Sequence, residues 1–160
     1  YLTLAEVVEE IESLAPLVSH FLWHSPAIDP VLFIGGGSCL VPLMAMIRQR
    51  RALAQAVPTA LLLSARTAED VLFSEELHCI EISDPAFVLA LAITREKPVR
   101  ASDFARRIDG MMVQEILTRL QGKPTQVFVC GSNGFVNIAT DSALLAGLDA
   151  SIIKTERYGG

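Results

Sequence analysis

The chain has 160 residues, and its 13 Lys and Arg set against 18 Asp and Glu leave a formal charge of −5, which argues against a binder of phosphate backbones and so against a nucleic-acid partner. Apolar residues make up 51% of it, enough for one sizeable core and too many for a disordered chain. Cys39, Cys79 and Cys130 form no CxxC pair and leave an odd thiol under any pairing, which excludes a disulfide framework and a structural zinc site and favours a reducing, cytoplasmic compartment.

Thr3 and Glu6 stand at capping-box spacing, and Leu4, Val7, Val8, Ile11 and Leu14 follow at helical intervals, predicting an amphipathic helix over 4–14 that Pro16 ends. This start is acidic, lacks the basic segment of a signal peptide, and reads as the cut edge of a longer parent. His20 and His24 are four apart, but no Glu lies between them and no third ligand is evident, so no metal site is expected. Pro30 to Ile47 carries no charge and is as long as the shortest membrane-spanning helices. Its centre, Gly35-Gly36-Gly37-Ser38 with Pro42 just beyond, suits a lipid-exposed helix badly and a buried strand, tight turn and helix well, so no membrane association is expected.

The block 31–35 (VLFIG) therefore predicts a strand and 40–55 a helix. Strands follow at 59–65, 87–94, 126–130 and 151–156, with helices at 68–77, 111–120 and 133–148 between them. Strands apolar on both faces and separated by helices predict a doubly wound α/β domain with a five-stranded parallel sheet covered on both sides. A ligand then belongs at the carboxyl ends of the strands, where 35–40, 64–67, 94–96 and 130–135 would border one crevice.

Two turns carry the chemistry. Gly35-Gly36-Gly37-Ser38 joins a strand to a helix, so its backbone can approach a pyrophosphate and its free N–H groups can bind the anion. Cys130-Gly131-Ser132-Asn133-Gly134-Phe135 also runs from a strand end into a helix and is expected to face its thiol into the crevice. No Ser, His and Asp constellation or nucleophile elbow accompanies Ser38, Ser64 or Ser132, so a hydrolase has no base and nucleophile to name.

The segments VLFIGGGSCLVPL, LLLSARTAEDVLFSEEL, ITRE, VFVCGSNGF and TERYGG, in this order over residues 30–160, are similar to the NAD(P)-binding domain of the ferredoxin–NADP reductase family, of the bacterial ferredoxin reductase-like kind. The resemblance implies an NAD(P)H-dependent oxidoreductase whose glycine turn, here Gly36, Gly37 and Ser38, holds the dinucleotide pyrophosphate. It implies that Cys130, with Gly131 and Ser132 beside it, borders the nicotinamide, and that Glu156 and Tyr158 lie near a flavin ring. Thr94 and Arg95, in the place of the family's Ser-Arg-Glu segment, would meet a ribose 2′-phosphate, with Arg66, Arg106 and Arg107 on neighbouring loops. These bases favour NADPH over NADH.

Two departures qualify the resemblance. Cys39 stands where the family has the last glycine of its loop, adding a Cβ and a sulfur where the pyrophosphate approaches. Residues 15–23 read as a worn version of the stretch that closes the family's flavin domain, so 1–29 is expected to be an N-terminal helix plus that remnant and 30–160 the nucleotide domain. FAD would then have to come with a separate flavin domain or chain, and electrons would pass to a ferredoxin or another iron–sulfur acceptor. The competing reading is a degenerate, non-catalytic nucleotide-binding or docking module, whose apolar face would be covered by a partner or by self-association into a homo-oligomer.

Overall fold

The computed structural model describes residues 29–52 and 57–159. The predicted helix at 4–14, His20, His24 and the stretch 15–23 lie outside the described residues, as do 53–56 at the end of the helix expected over 40–55. Among the described residues five strands, β1 (Val31–Gly36), β2 (Thr59–Ala65), β3 (Phe87–Ile93), β4 (Gln126–Gly131) and β5 (Ile153–Arg157), alternate with four helices. The helices are α1 (Leu40–Ala52), α2 (Ser74–Ser83), α3 (Gly110–Arg119) and α4 (Asn133–Leu145). The sheet order is β3-β2-β1-β4-β5 with every neighbouring pair parallel, so this is the predicted doubly wound α/β fold.

Strand alternation sorts the core into two layers. Val31, Phe33, Leu61, Leu63, Leu89, Leu91, Phe128 and Cys130 point to one face, where Leu43, Met44 and Ile47 of α1 and Leu77 and Ile80 of α2 cover them. Leu32, Ile34, Ala60, Leu62, Ala90, Val127 and Val129 point to the other, under Met112, Val113 and Ile116 of α3 and Val136, Ala139 and Ala143 of α4. Small alanines in β2 and β3 on this second face let α3 come close.

Two sequence expectations need correction. The helix expected over 68–77 is a short 3-10 turn, Ala68–Asp70, followed by a helix that starts only at Ser74 and runs to Ser83. Thr67 and Asp70 close that turn as a reciprocal capping box, and Phe73, in the left-handed region at φ 55°, turns the chain before α2 begins. The last helix ends at Leu145 instead of 148 because Gly147 takes φ 91°; a 3-10 turn, Ala150–Ile152, then delays β5 to Ile153. Among the described residues no helix is long and apolar enough to cross a membrane.

Arg50 is 1% exposed and ties the end of α1 to the β2–β3 side of the sheet. Its Nε donates to the Val57 carbonyl at 2.7 Å and its Nη1 to Asp84 Oδ2 at 2.5 Å. Burial pushes the Asp84 carboxyl up, but the Arg50 hydrogen bond, the Ala86 N–H and the nearby arginine charges outweigh it and hold the carboxyl below its ordinary value. A depressed carboxyl contributes stability that is complete above the unfolded value of about 3.9 and is lost as pH falls through the lower folded value. Asp84→Ala, which strands a buried guanidinium, is expected to cost about 3 kcal/mol in urea unfolding. The same variant should lose less stability than the parent between pH 4 and pH 2, and an equal acid response in the two proteins would rule this pair out as an acid-labile contact.

Candidate dinucleotide site

The sheet changes winding direction between β1 and β4, and a cavity of about 560 Å³ opens at their carboxyl ends, within the range of cofactor sites. Its floor is the turn Gly36, Gly37 and Ser38, which leaves β1 and enters a 3-10 turn (Gly37–Cys39) leading directly into α1. Gly37 has φ 62°, and a Cβ built there would meet nothing within 4 Å, so bare backbone faces open space at this point. On the opposite wall Ser132 caps the N-terminus of α4, its hydroxyl accepting the Phe135 N–H at 3.3 Å. Backbone N–H groups of two helix starts thus border one concavity.

Phe135 fills the seam behind this backbone. A Cβ on Gly36 would come within 2.8 Å of its ring, and one on Gly131 closer still, so the ring rests on two adjacent strands that carry no side chain there. The third wall comes from the ends of β2 and β3. Backbone hydrogen bonds from Thr94 N–H to the Ala65 carbonyl (3.1 Å) and from Arg95 N–H to the Arg66 carbonyl (2.9 Å) extend the strand pairing into the two loops. Arg66 and Thr94 line the cavity, together with Ser64 and Asp70.

At the β5 end Tyr158 lines the cavity and donates its hydroxyl to Glu156 Oε1 at 2.9 Å, while its N–H bonds the Gly131 carbonyl. Burial and the adjoining Glu156 carboxylate push the Tyr158 phenol well above its usual range, so it remains a donor. Glu156 Oε2 is buried and has no hydrogen-bond partner among the described residues.

The structure therefore gathers Gly36, Gly37, Ser38, Cys39, Arg66, Thr94, Ser132 and Tyr158 around one cavity. Arg95, Arg107, Cys130, Gly131 and Glu156 do not line it, although Arg95, Gly131 and Glu156 bond to residues that do. Arg106 is committed elsewhere, donating to Asp109 at 2.7 Å.

The expectation that the Cys130 thiol faces the crevice is corrected. Cys130 is fully buried because its place in the alternation of β4 turns it toward α1, beside Cys39. Cys39 is itself only 8% exposed, so its side chain packs inward instead of standing in the mouth of the glycine turn. Asp70 and Leu72 also line the cavity, outside the segments expected to border it, and only Asp70 has a local signal, the capping-box spacing from Thr67.

Residues 33–141 match the family model described as the oxidoreductase NAD-binding domain. The chain belongs to that family. It is 26% identical over 156 residues to the reductase component of propane 2-monooxygenase from Mycolicibacterium goodii, covering 95% of this chain and 42% of that protein. It is 30% identical over 134 residues to an NADPH oxidoreductase of Mycobacterium tuberculosis, covering 81% and 31% respectively. This oxidoreductase NAD-binding domain thus spans less than half the length of the curated relatives it matches. In fold it is similar to an Amycolatopsis cytochrome P450 reductase, with TM-score 0.69 at 19% identity over 83% of this chain and 38% of that one. It is also similar to a ferredoxin NADP+ reductase from Neisseria gonorrhoeae solved with FAD and NADP, with TM-score 0.62 at 19% identity over 80% and 55%.

Gly131→Ala tests the seam. The new methyl must displace the Phe135 ring, so the substitution is expected to cost about 1–3 kcal/mol in thermal or urea unfolding. Gly134→Ala, where a Cβ meets nothing within 4 Å, is expected to leave stability unchanged or slightly raised.

Proposed function

We propose that the chain is the NAD(P)H-binding module of a flavin-dependent reductase, with 30–160 as the nucleotide domain. The observation that carries this reading is the glycine turn at the β1/β4 switch point, where bare backbone and two helix starts border a cavity of cofactor size.

In this reading Gly36, Gly37 and Ser38 hold the pyrophosphate, with Ser132 and the start of α4 as the second set of donors. Arg66 and Thr94, supported by Arg95, meet the ribose that carries the 2′-phosphate of NADPH, and Arg107 adds positive potential from its loop. Asp70 on the same wall favours a free 2′-hydroxyl instead, so the balance between Arg66 and Asp70 sets the preference between the two dinucleotides. At the other end Tyr158 lines the cavity beside the nicotinamide end of the ligand, and Glu156, behind it, holds the Tyr158 hydroxyl in place. Cys130 acts from below as an apolar support under the same end of the site. When bound, NAD(P)H supplies a hydride from its nicotinamide to a flavin ring.

The partners this requires are a flavin-binding domain or chain and an electron acceptor, either an iron–sulfur protein such as ferredoxin or an oxygenase component of the kind served by the propane monooxygenase reductase.

Calorimetric titration with NADP+ and NAD+ tests the reading. Micromolar binding of NADP+ is expected, and Arg66→Ala should weaken it about tenfold or more while changing NAD+ affinity less. Asp70→Asn should weaken NAD+ relative to NADP+. Absence of heat with both dinucleotides would overturn the assignment for this chain.

A further inference from the structure

We propose that Arg48, which does not line the cavity, is a positioning residue for dinucleotide binding: with Glu76 it clamps the Phe73 ring and so holds Leu72 in the cavity wall as an apolar surface for the purine base. Arg48 lies on α1 and Glu76 on α2. The guanidinium grips the carboxylate at two points, Nε donating to Oε1 at 2.9 Å and Nη2 to Oε2 at 2.7 Å. Its carbon also stands 5.0 Å from the centre of the Phe73 ring, within cation–π range. Phe73 precedes the first residue of α2, its carbonyl accepting the Leu77 N–H at 2.9 Å. Among the described residues it is the one non-glycine with positive φ. Leu72, just before it, lines the cavity and is 41% exposed.

An exposed Arg–Glu pair is ordinarily worth little. Two observations separate this pair from that case. A phenylalanine in the left-handed region is strained, and such strain persists only where the surroundings impose it; here they are the Arg48 guanidinium and the first turn of α2. The second observation is where the preceding loop is anchored. Glu96 Oε1 accepts the Ala68 N–H at 2.6 Å, and Thr67 and Asp70 close their capping box, so the loop is tied down as far as Asp70. Beyond Asp70, Val71 is buried, and Leu72 stands between that anchor and the Phe73 clamp. If the ring is released, Phe73 relaxes toward negative φ and Leu72 turns with it.

The use of Leu72 rests on the reading of Arg66 and Asp70 as the residues that meet the adenosine ribose. The base is joined to that ribose, and Leu72 follows Asp70 on the same wall of the cavity. Polar groups fix the sugar, and an apolar side chain left open beside them takes one face of a flat base out of water. Arg48 contributes no free charge to this. Its hydrogen bonds hold the Glu76 carboxyl below its ordinary range, so at neutral pH the two form an ionised pair whose charges cancel. Arg48 therefore acts through Phe73 and Leu72, not by attracting the phosphates.

The test is calorimetry with NADP+ and with adenosine 2′,5′-bisphosphate, which lacks the nicotinamide half. Arg48→Ala is expected to weaken both ligands by the same factor, about fivefold, while its thermal midpoint shifts by no more than about 5 °C, as for any exposed pair. Leu72→Ser should weaken both at least as much, and adding Arg48→Ala to it should weaken them no further, because residues acting through one another are not additive. Glu76→Gln makes the chain more positive yet loosens the grip on Arg48, so it too should weaken both ligands. Parent affinity in Arg48→Ala, additive losses in the double variant, or tighter binding by Glu76→Gln would overturn the proposal. Hydrogen exchange of the ligand-free chain reads the clamp without any dinucleotide. Residues 71–74 are expected to exchange at least about fivefold faster in Arg48→Ala, with 59–65 unchanged, and equal exchange in the two proteins would also overturn it. Calorimetric silence of the parent beside faster exchange in the variant counts against the dinucleotide reading alone.

Discussion

The ring of Phe135 lies against two adjacent strands at the positions where neither carries a side chain, Gly36 on β1 and Gly131 on β4. This one contact sets the start of α4 against the ends of both strands. It brings the Ser132 cap to the rim of the cavity and leaves the turn after Gly36 as exposed backbone. A side chain larger than hydrogen at either glycine would push the helix start outward, and the two sets of N–H groups would no longer border one space.

Because the central strands are buried on both faces, each residue near their ends must serve either the layer under α1 and α2 or the layer under α3 and α4. Phe135 closes the second layer; Cys39 and Cys130 close the first. The cavity is then lined largely by what remains: backbone, short polar side chains and loop residues such as Arg66 and Thr94. A cofactor held mainly by backbone tolerates substitution around it, which is consistent with a recognisable family at 26–30% identity to the curated relatives.

Most of the architecture was legible in the sequence because short apolar runs rich in β-branched residues, bounded by glycine and proline and separated by helices, point to buried parallel strands. The glycine turn and Ser132 were legible for the same local reason. The start of α2 was not, since 68–77 has helical spacing throughout and only the capping box at Thr67 and the left-handed Phe73 break it. Nor was the orientation of Cys130. The sequence places it at a strand end, but which face it takes depends on the register of β4 against β1, a pairing across the whole domain. The seat of the Phe135 ring was hidden likewise, because two glycines far apart in sequence make it.

That pairing has a consequence for how the protein comes into being. Val31 of β1 lies beside Gln126 of β4, so the middle of the sheet joins segments with β2, β3 and three helices between them in the chain. Contacts of such span close late, after the loop entropy between them has been surrendered. The floor of the cavity and the wall opposite it meet at that junction. During synthesis the first three strands can pair while the growing chain is still short of β4, and the floor and the Arg66–Thr94 wall then stand without the side that Ser132, Phe135 and Tyr158 supply. Competence to bind arrives in one step, with the completion of the sheet.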